Sequence, residues 1–127
     1  MATKSTGEHL DITEVTVYPA TTIAAAGAVN GPAIEVGDRS SAQLELDVTA
    51  LTASDTLDAK IQTSKDGSGS GLGAWRDVAT FTQMTEAGSE RKSFAGLDRF
   101  IRAVVTPTDA GGGGISVTLS IKGELKG

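Results

Sequence analysis

The stretch QLELDV, residues 43–48, alternates polar and apolar side chains without a break. Successive side chains of a β-strand point to opposite faces of a sheet, so Leu44, Leu46 and Val48 would share one face. An α-helix would instead need apolar residues three and four positions apart. The stretch therefore predicts a strand with one buried and one solvated face.

The same period of two recurs along the chain and extends the prediction from one strand to a whole fold. Leu57–Ser64 and Ile115–Ile121 alternate in the same way, and Arg99–Val105 is more apolar, which predicts a central strand covered on both faces. Thr21–Val29 is rich in alanine and could suggest a helix, but Gly27 in its middle argues against one. Shorter strand candidates are Thr13–Tyr18, Ala33–Val36, Asp77–Phe81 and Lys92–Ala95.

Turn-forming residues separate these strands, which predicts one all-β domain in the chain of 127 residues. The expected fold is a single antiparallel β-sandwich, immunoglobulin-like or jelly-roll-like, or a partly open barrel, with polar mobile termini. The sandwich is expected over residues 12–127, preceded by a flexible arm over residues 1–11, and the run Gly111–Gly114 is expected to be a flexible hairpin tip joining the last two strands. The predicted core is Leu44, Leu46, Val48, Leu57, Ile61, Phe81, Ile101, Val105, Val117 and Leu119.

Composition excludes several classes of protein. The net charge of −5 and the scattered Lys and Arg residues argue against a nucleic-acid partner, which clustered positive charge would bind. The chain has no cysteine, so neither disulfides nor thiolate metal sites hold the fold. No apolar run is long enough for a membrane span, and the first residues lack the apolar segment of a secretory signal. We therefore expect synthesis in the cytoplasm and no membrane partner.

The glycine-rich stretch SKDGSGSGLGAW, Ser64–Trp75, could in principle bind a ligand. Gly69–Ala74 matches a permissive dinucleotide fingerprint, but that motif needs a following helix N-terminus, and the residues after it are strand-like. A calcium loop needs several oxygen ligands, and only Asp66 is present. We interpret the stretch as a long hairpin loop that binds no ligand, with Trp75 re-entering to cap the edge of the core.

The candidate catalytic residues do not assemble into a mechanism. His9 is the only histidine and lies in the polar arm, where it lacks the rigid support that a triad or metal site requires. The carboxylates Glu45, Asp47 and Asp58 fall on the polar faces of alternating strands, where solvated charge is expected. The sequence therefore predicts a protein that is not an enzyme and that uses no cofactor or metal.

Five segments appear in a fixed order between Ala42 and Ile121. They are QLELDVTAL, LDAKIQTSKDG, AWRDVATFTQMTEAGSERKSF, RFIRAVVTP and the strand that begins ISVTLSI. In this order they resemble a group of small virion proteins of tailed bacteriophages. The resemblance implies a capsid decoration (cement) protein, commonly a homotrimer, made in the host cytoplasm and bound to the major capsid protein on the capsid surface. It carries over no catalytic residue.

The N-terminal arm is the predicted docking element on the capsid. Its candidate contact residues are Thr3, Lys4, Glu8, His9 and Leu10. Simple terminal disorder is the alternative for this segment. Two other functions stay open: a tail or head–tail joining component of the virion, and a carbohydrate-binding module, which would need Trp75 and Tyr18 exposed on a common face.

Overall fold

A computed structural model describes residues 12–127. Within that range the chain forms strands and one short 3-10 turn, Gly71–Gly73, and no α-helix. The strands are β1 (Ile12–Ile23), β2 (Val29–Asn30), β3 (Ile34–Glu35), β4 (Ser41–Leu51), β5 (Thr56–Ser64), β6 (Arg76–Thr80), β7 (Gly88–Ala95), β8 (Phe100–Thr108) and β9 (Val117–Lys126).

The strands form two antiparallel sheets that pack face to face. Sheet A has the order β1-β9-β4-β7, and sheet B has the order β2-β8-β5-β6, with β3 also paired to β8. The short strands β2 and β3 lie along the same edge of β8 and act as one interrupted strand. The chain crosses between the sheets at every connection except two: β2 to β3, which stays along β8, and β5 to β6, which is the one hairpin within residues 12–127. This strand order is that of a jelly roll, so the all-β sandwich is confirmed and its form is resolved.

The core lies between the two sheets and contains the residues that the alternation predicts. Leu44, Leu46 and Val48 of β4 are at most 1% exposed, while the residues between them face outward. Every other predicted core residue is also buried, with exposures of 0–2%. The core also includes residues not in the prediction, among them Val17, Tyr18, Val36, Ile121 and Leu125.

Strand β8 is central in sheet B, as predicted, but only one of its faces is deeply covered. Ile101, Ala103 and Val105 point into the core with no exposed surface. On the outer face Val104 is 8% exposed, and Arg102 is only half-buried. The apolar composition of the strand thus overstated the cover on its outer side, where neighbouring polar side chains replace a packed layer.

The prediction for the glycine run Gly111–Gly114 is wrong. The strands that it joins, β8 and β9, belong to different sheets, so the run is a crossover at one end of the sandwich and not a hairpin tip. Asp109 accepts hydrogen bonds from the backbone N–H groups of Gly112 and Gly114 at 2.9 and 2.8 Å. Alternation of side chains shows which face of a strand is buried, but it does not show which sheet the strand joins. The hairpin prediction depended on the assumption that consecutive strands pair.

Strand β1 contains irregularities that change which of its side chains are buried. Its register with β9 shifts on both sides of the pair formed by Tyr18 and Ile121. Val17 and Tyr18 are adjacent and yet both are buried, which strict alternation forbids and a β-bulge permits. A Cβ atom on Gly31 would lie 3.0 Å from the Tyr18 ring, so glycine makes room for the buried phenol.

Candidate functional site

The β5–β6 connection, residues 65–75, stands at one end of sheet B and is named here the apex loop. Its flanking strands β5 and β6 pair directly, which confirms the hairpin predicted for this stretch. Loops carry binding residues on many rigid scaffolds, so its internal structure decides whether it can present a surface.

The apex loop is built on Ser64, the buried last residue of β5. The Ser64 hydroxyl donates to the carbonyl oxygen of Gly73 at 2.5 Å and accepts from the backbone N–H of Gly67 at 2.9 Å. The N–H of Gly69 donates to the same Gly73 carbonyl at 3.0 Å, and the N–H of Gly73 donates to Ser70 O at 2.9 Å. One side chain therefore joins the two ends of the loop, and the backbone closes the rest.

The side chain of Asp66 adds a second anchor inside the loop. Its Oδ1 accepts from the backbone N–H of Ser68 at 2.8 Å. Hydrogen bonds from the Ser68 hydroxyl and N–H lower the pKa of the Asp66 carboxyl below its ordinary value. The carboxylate thus remains a charged acceptor wherever the protein is near neutral pH.

Packing and backbone conformation require glycine at several positions of the apex loop. A Cβ on Gly73 would lie 1.7 Å from Asp66 Oδ1, a distance that no side chain tolerates. Gly67 and Gly69 have φ of +76° and +80°, the left-handed region that favours glycine, and a Cβ added at either would lie 3.3–3.4 Å from the Phe100 or Trp75 ring. Backbone conformation and close packing account for these three glycines without a phosphate or a metal.

This compact loop exposes one large apolar side chain. Leu72 lies in the 3-10 turn and is 88% exposed, while Ile12, the other exposed large hydrophobic residue of the described chain, is 44% exposed. Leu72 is not among the candidate residues that the sequence predicts. The available signal is a lone leucine between glycines in a stretch of otherwise small or charged residues.

A polar network runs from the apex loop across the outer face of sheet B. The guanidinium carbon of Arg102 lies 4.4 Å from the centroid of the Trp75 ring, a cation–π contact. Arg102 Nε donates to Gln62 Oε1 at 3.0 Å, and Gln62 Nε2 donates to Asp77 Oδ1 at 2.9 Å. Lys60 Nζ then donates to Asp77 Oδ2 at 3.3 Å. The network joins β8, β5 and β6, and the half-buried Trp75 stacks on Arg102 at this outer face, outside the core between the sheets.

Asp77 is the acidic member of this network. The hydrogen bond from Gln62 is the largest cause that lowers the pKa of the Asp77 carboxyl, and Lys60 lowers it further. An ionised Asp77 therefore accepts from both neighbours and holds β6 against β5.

Beyond the loop, two depressions mark the outer faces of the sandwich. A groove of about 680 Å³ on sheet A is lined mainly by polar and charged side chains, including Glu14, Glu45, Lys122 and Glu124. A smaller pocket of about 270 Å³ on sheet B, named here the side pocket, is lined by Asp58, Ala59, Lys60, Thr80, Val104 and Thr106. Both depressions are open surface features lined largely by polar and charged residues.

The residues considered for ligand binding are not brought together. The fingerprint Gly69–Ala74 leads into strand β6, so no helix N-terminus follows it. Within residues 12–127, no group of three or more His, Cys, Asp and Glu side chains is placed to hold a metal ion. Tyr18 is buried in the core, and it therefore does not share an exposed face with Trp75.

The predicted docking residues Thr3, Lys4, Glu8, His9 and Leu10 lie outside the described residues. No helix of the described chain is both long and apolar enough to cross a bilayer. No family model matches the chain, and comparison with curated proteins finds no match. The described residues form a jelly-roll sandwich with an internally hydrogen-bonded loop at one end.

Proposed function

We propose that this chain is a non-enzymatic structural protein of a bacteriophage virion, which attaches to the capsid surface and stabilises the lattice of the major capsid protein. The observation that carries the proposal is strand β1, a 12-residue edge strand of sheet A that continues directly from residues 1–11. The resemblance of Ala42–Ile121 to tailed-phage virion proteins supplies the class of partner.

An edge strand exposes backbone N–H and C=O groups that can pair with another chain, and proteins usually protect such edges with charge. Strand β7, the opposite edge of sheet A, carries the charged run Glu90, Arg91 and Lys92. Strand β1 has Glu14 as its charged residue and Pro19 as an interruption. Proline and bulges also protect an edge, so the better template of the two is the first half of β1, before the bulge at Tyr18, where a partner could add a strand through main-chain hydrogen bonds.

The fold supports the proposal only by analogy. Jelly rolls recur in viral capsid proteins, and also in lectins and cupins, so the architecture is compatible with the role without assigning it. A homotrimer would present three docking edges at once. Several weak contacts linked in one particle act as intramolecular contacts, and modest interfaces then sum to firm attachment.

Co-sedimentation with capsids tests the proposal. The full chain and a variant that lacks residues 1–11 are mixed with purified capsids, and capsid survival on heating or with chelator is measured in parallel. We expect the full chain to bind and protect the capsids and the shortened chain to bind more weakly while it remains folded. Arg91→Gln on the opposite edge is the matched control and should bind like the full chain.

Two results would overturn the proposal. One is a full chain that never co-sediments with capsids, and the other is bound protein that leaves capsid survival unchanged. Binding to tails in place of capsids would support the alternative role in the tail or the head–tail joint. The glycan-binding alternative has lost its required aromatic pair, because Tyr18 is buried.

A further inference from the structure

The first half of β1, before its bulge, has a free edge and an outer face that borders the groove on sheet A. Its backbone pairs with β9 on one side only, so the other side can accept a further strand. Side chains of a strand alternate between its two faces, and Val15 and Val17 face the core. The outward side chains are Ile12, Glu14 and Thr16, and each would stand beside one side chain of an added strand.

Two like charges face each other across the strands on this outer face. Glu14 of β1 pairs in register with Glu124 of β9, and both line the groove. Like charges directly opposite on paired strands destabilise a sheet, whereas opposite charges stabilise it. Glu45, the third carboxylate of the groove, has Arg91 as its partner at 3.9 Å. Within residues 12–127, no Lys or Arg nitrogen lies within 4.0 Å of the other two carboxylates.

The basic side chains of the neighbourhood do not occupy the free edge beside Glu14. Lys122 and Lys126 belong to β9, which pairs with the other side of β1. Arg39 donates to the hydroxyl of Thr13, a side chain on the opposite face of β1 from Glu14. The position next to Glu14 on the free edge is therefore open to a positive group from another chain.

Ile12 and the groove define what else an added strand would carry. Ile12 is 44% exposed and lies on the same face as Glu14, two residues away. An aliphatic side chain beside it would remove apolar surface from water. The groove, with a volume of about 680 Å³, extends from Glu14 across sheet A to Arg91 of β7. A long side chain that enters beside Glu14 therefore has room to lie towards Glu124, and Lys and Arg combine that length with positive charge.

We propose that the partner segment that adds to the first half of β1 carries a lysine or arginine opposite Glu14 and an aliphatic residue two positions away, opposite Ile12. The inference rests on the proposed function for the identity of the partner, an extended segment of the major capsid protein. It adds the chemistry of that segment, a basic and an aliphatic residue on one face of a strand. Main-chain hydrogen bonds supply affinity at such an edge, and the two side-chain contacts select the sequence.

An NMR titration of the isotope-labelled full chain with short peptides tests the inference without capsids. The probe is the capped peptide Val-Thr-Lys-Thr-Val, which reads the same in both directions and so assumes no strand orientation. Two further peptides replace its lysine by glutamine and by glutamate. We expect the amide signals of residues 12–17 to shift, with affinity falling in the order lysine, glutamine, glutamate. The first and last should differ about fivefold, because one makes an opposite-charge pair with Glu14 and the other a like-charge pair.

Charge reversal on the protein separates pairing with Glu14 from general attraction to an acidic chain. Glu14→Lys should invert the order, so that the glutamate peptide binds best. Glu86→Lys makes the same change of charge in the exposed turn before β7 and is the matched control, which should keep the wild-type order. Glu124→Gln should reduce the preference for lysine without inverting it. Ile12→Ser should weaken all three peptides equally, and the spectra of the free variants establish that each is folded.

The inference is overturned if no β1 signal shifts up to about 10 mM peptide, if Glu14→Lys keeps the wild-type order, or if the Glu86→Lys control inverts it too. Shifts at β1 that grow with protein concentration in the absence of peptide would also overturn it, because the occupant would then be a second copy of the chain. The proposed function fails separately. Capsids that do not bind the full chain overturn that function whatever the peptides do, whereas bound capsids without any charge preference among the peptides overturn only this inference.

Discussion

Asp55 is a buried carboxylate that links two connections far apart in the sequence. Only 2% of the residue is exposed, and its Oδ1 accepts from the backbone N–H of Gly111 at 3.0 Å. The other oxygen, Oδ2, has no hydrogen-bond partner among the described residues. The side chain therefore ties the β4–β5 turn to the β8–β9 crossover at the expense of one unsatisfied buried acceptor.

Two substitutions at Asp55 separate these effects. Asp55→Ala leaves the N–H of Gly111 without its partner and should lower the free energy of unfolding by about 1–3 kcal/mol. Asp55→Asn keeps an acceptor oxygen and removes a buried charge, so its stability should equal or exceed that of the wild type. Urea denaturation measures both, and an Ala variant as stable as wild type would show that the link contributes nothing.

Gly73 is the residue on which the apex loop depends most directly. Its missing Cβ leaves the space that Asp66 Oδ1 occupies, and displacement of Asp66 removes the acceptor of the Ser68 N–H. Gly73→Ala should therefore lower the free energy of unfolding by about 1–3 kcal/mol, as forced overpacking does. It should also change the fluorescence of Trp75, which packs against Gly69 in the same loop.

Gly113→Ala is the matched control for this substitution. A Cβ at Gly113 meets no atom within 4 Å, and its φ is not in the left-handed region. The control should leave both stability and fluorescence near wild-type values. Equal effects of the two substitutions would mean that the close approach at Gly73 does not constrain the loop.

At the scale of elements, side-chain hydrogen bonds position the connections as well as the strands. The Glu90 carboxylate of β7 accepts from the N–H and the hydroxyl of Thr82 at 2.7 and 3.0 Å. Gln83 donates to Asp58 of β5 at 3.1 Å. The β6–β7 crossover, which contains Thr82 and Gln83, is thus attached to one strand of each sheet.

Because of the network across sheet B, the free energy of unfolding should depend on pH in the acid range. The pKa of Asp77 is lower in the folded protein than its ordinary value of 3.8. The stabilisation of the folded state by ionised Asp77 is therefore fully present above pH 3.8, and it is lost as the pH falls through the folded pKa. Asp77→Asn should be less stable than wild type at neutral pH, and the difference should narrow below about pH 4. Urea denaturation at a series of pH values measures the narrowing.

The pKa of Asp66 is lowered in the same direction, and Asp66 is present in wild type and in Asp77→Asn alike, so it does not affect their difference. Thr80→Ser, at an exposed position of the same strand, serves as the control. This substitution changes no ionisable group, so its difference in stability from wild type should not vary with pH. A pH-independent difference for Asp77→Asn would show that the Gln62 and Lys60 contacts do not favour the charged form.

At the scale of the whole molecule, the jelly roll pairs strands that are distant in the chain. Ile12 at the start of β1 pairs with Lys126 at the end of β9, and β9 also pairs with β4. Closing such long loops costs entropy before the contacts form, so folds rich in distant pairings fold slowly. Sheet A is therefore complete only when the last strand has been added.

We expect refolding from urea to take milliseconds to seconds, as for other all-β domains of distant pairing. Stopped-flow fluorescence of Trp75 measures the rate. Removal of residues 117–127, which deletes β9, should abolish cooperative unfolding, because it exposes the facing edges of β1 and β4 at once. Sub-millisecond refolding, or a cooperative transition without β9, would contradict this account.

Alternation of apolar and polar residues was enough to predict the strand class and the central core. Leu46, Ile61 and Val117 are buried as expected because each lies in a strand whose one face meets the other sheet. The hairpin at the glycine stretch was also correct, since its flanking strands are short and close in the chain. The candidate docking residues of the arm could not be compared, because they lie outside residues 12–127.

By itself, the sequence determined the all-β class, the inward face of most strands and the hairpin character of the apex loop. These properties depend on side-chain period and on local turn chemistry, which neighbouring residues encode. Only the tertiary structure decided the jelly-roll order, the crossover at Gly111–Gly114, the burial of Tyr18 and Asp55, and the outward position of Leu72. Each of these features depends on contacts between segments that are distant in the chain. The free energy of those contacts depends on both partners, so neither local sequence predicts it alone.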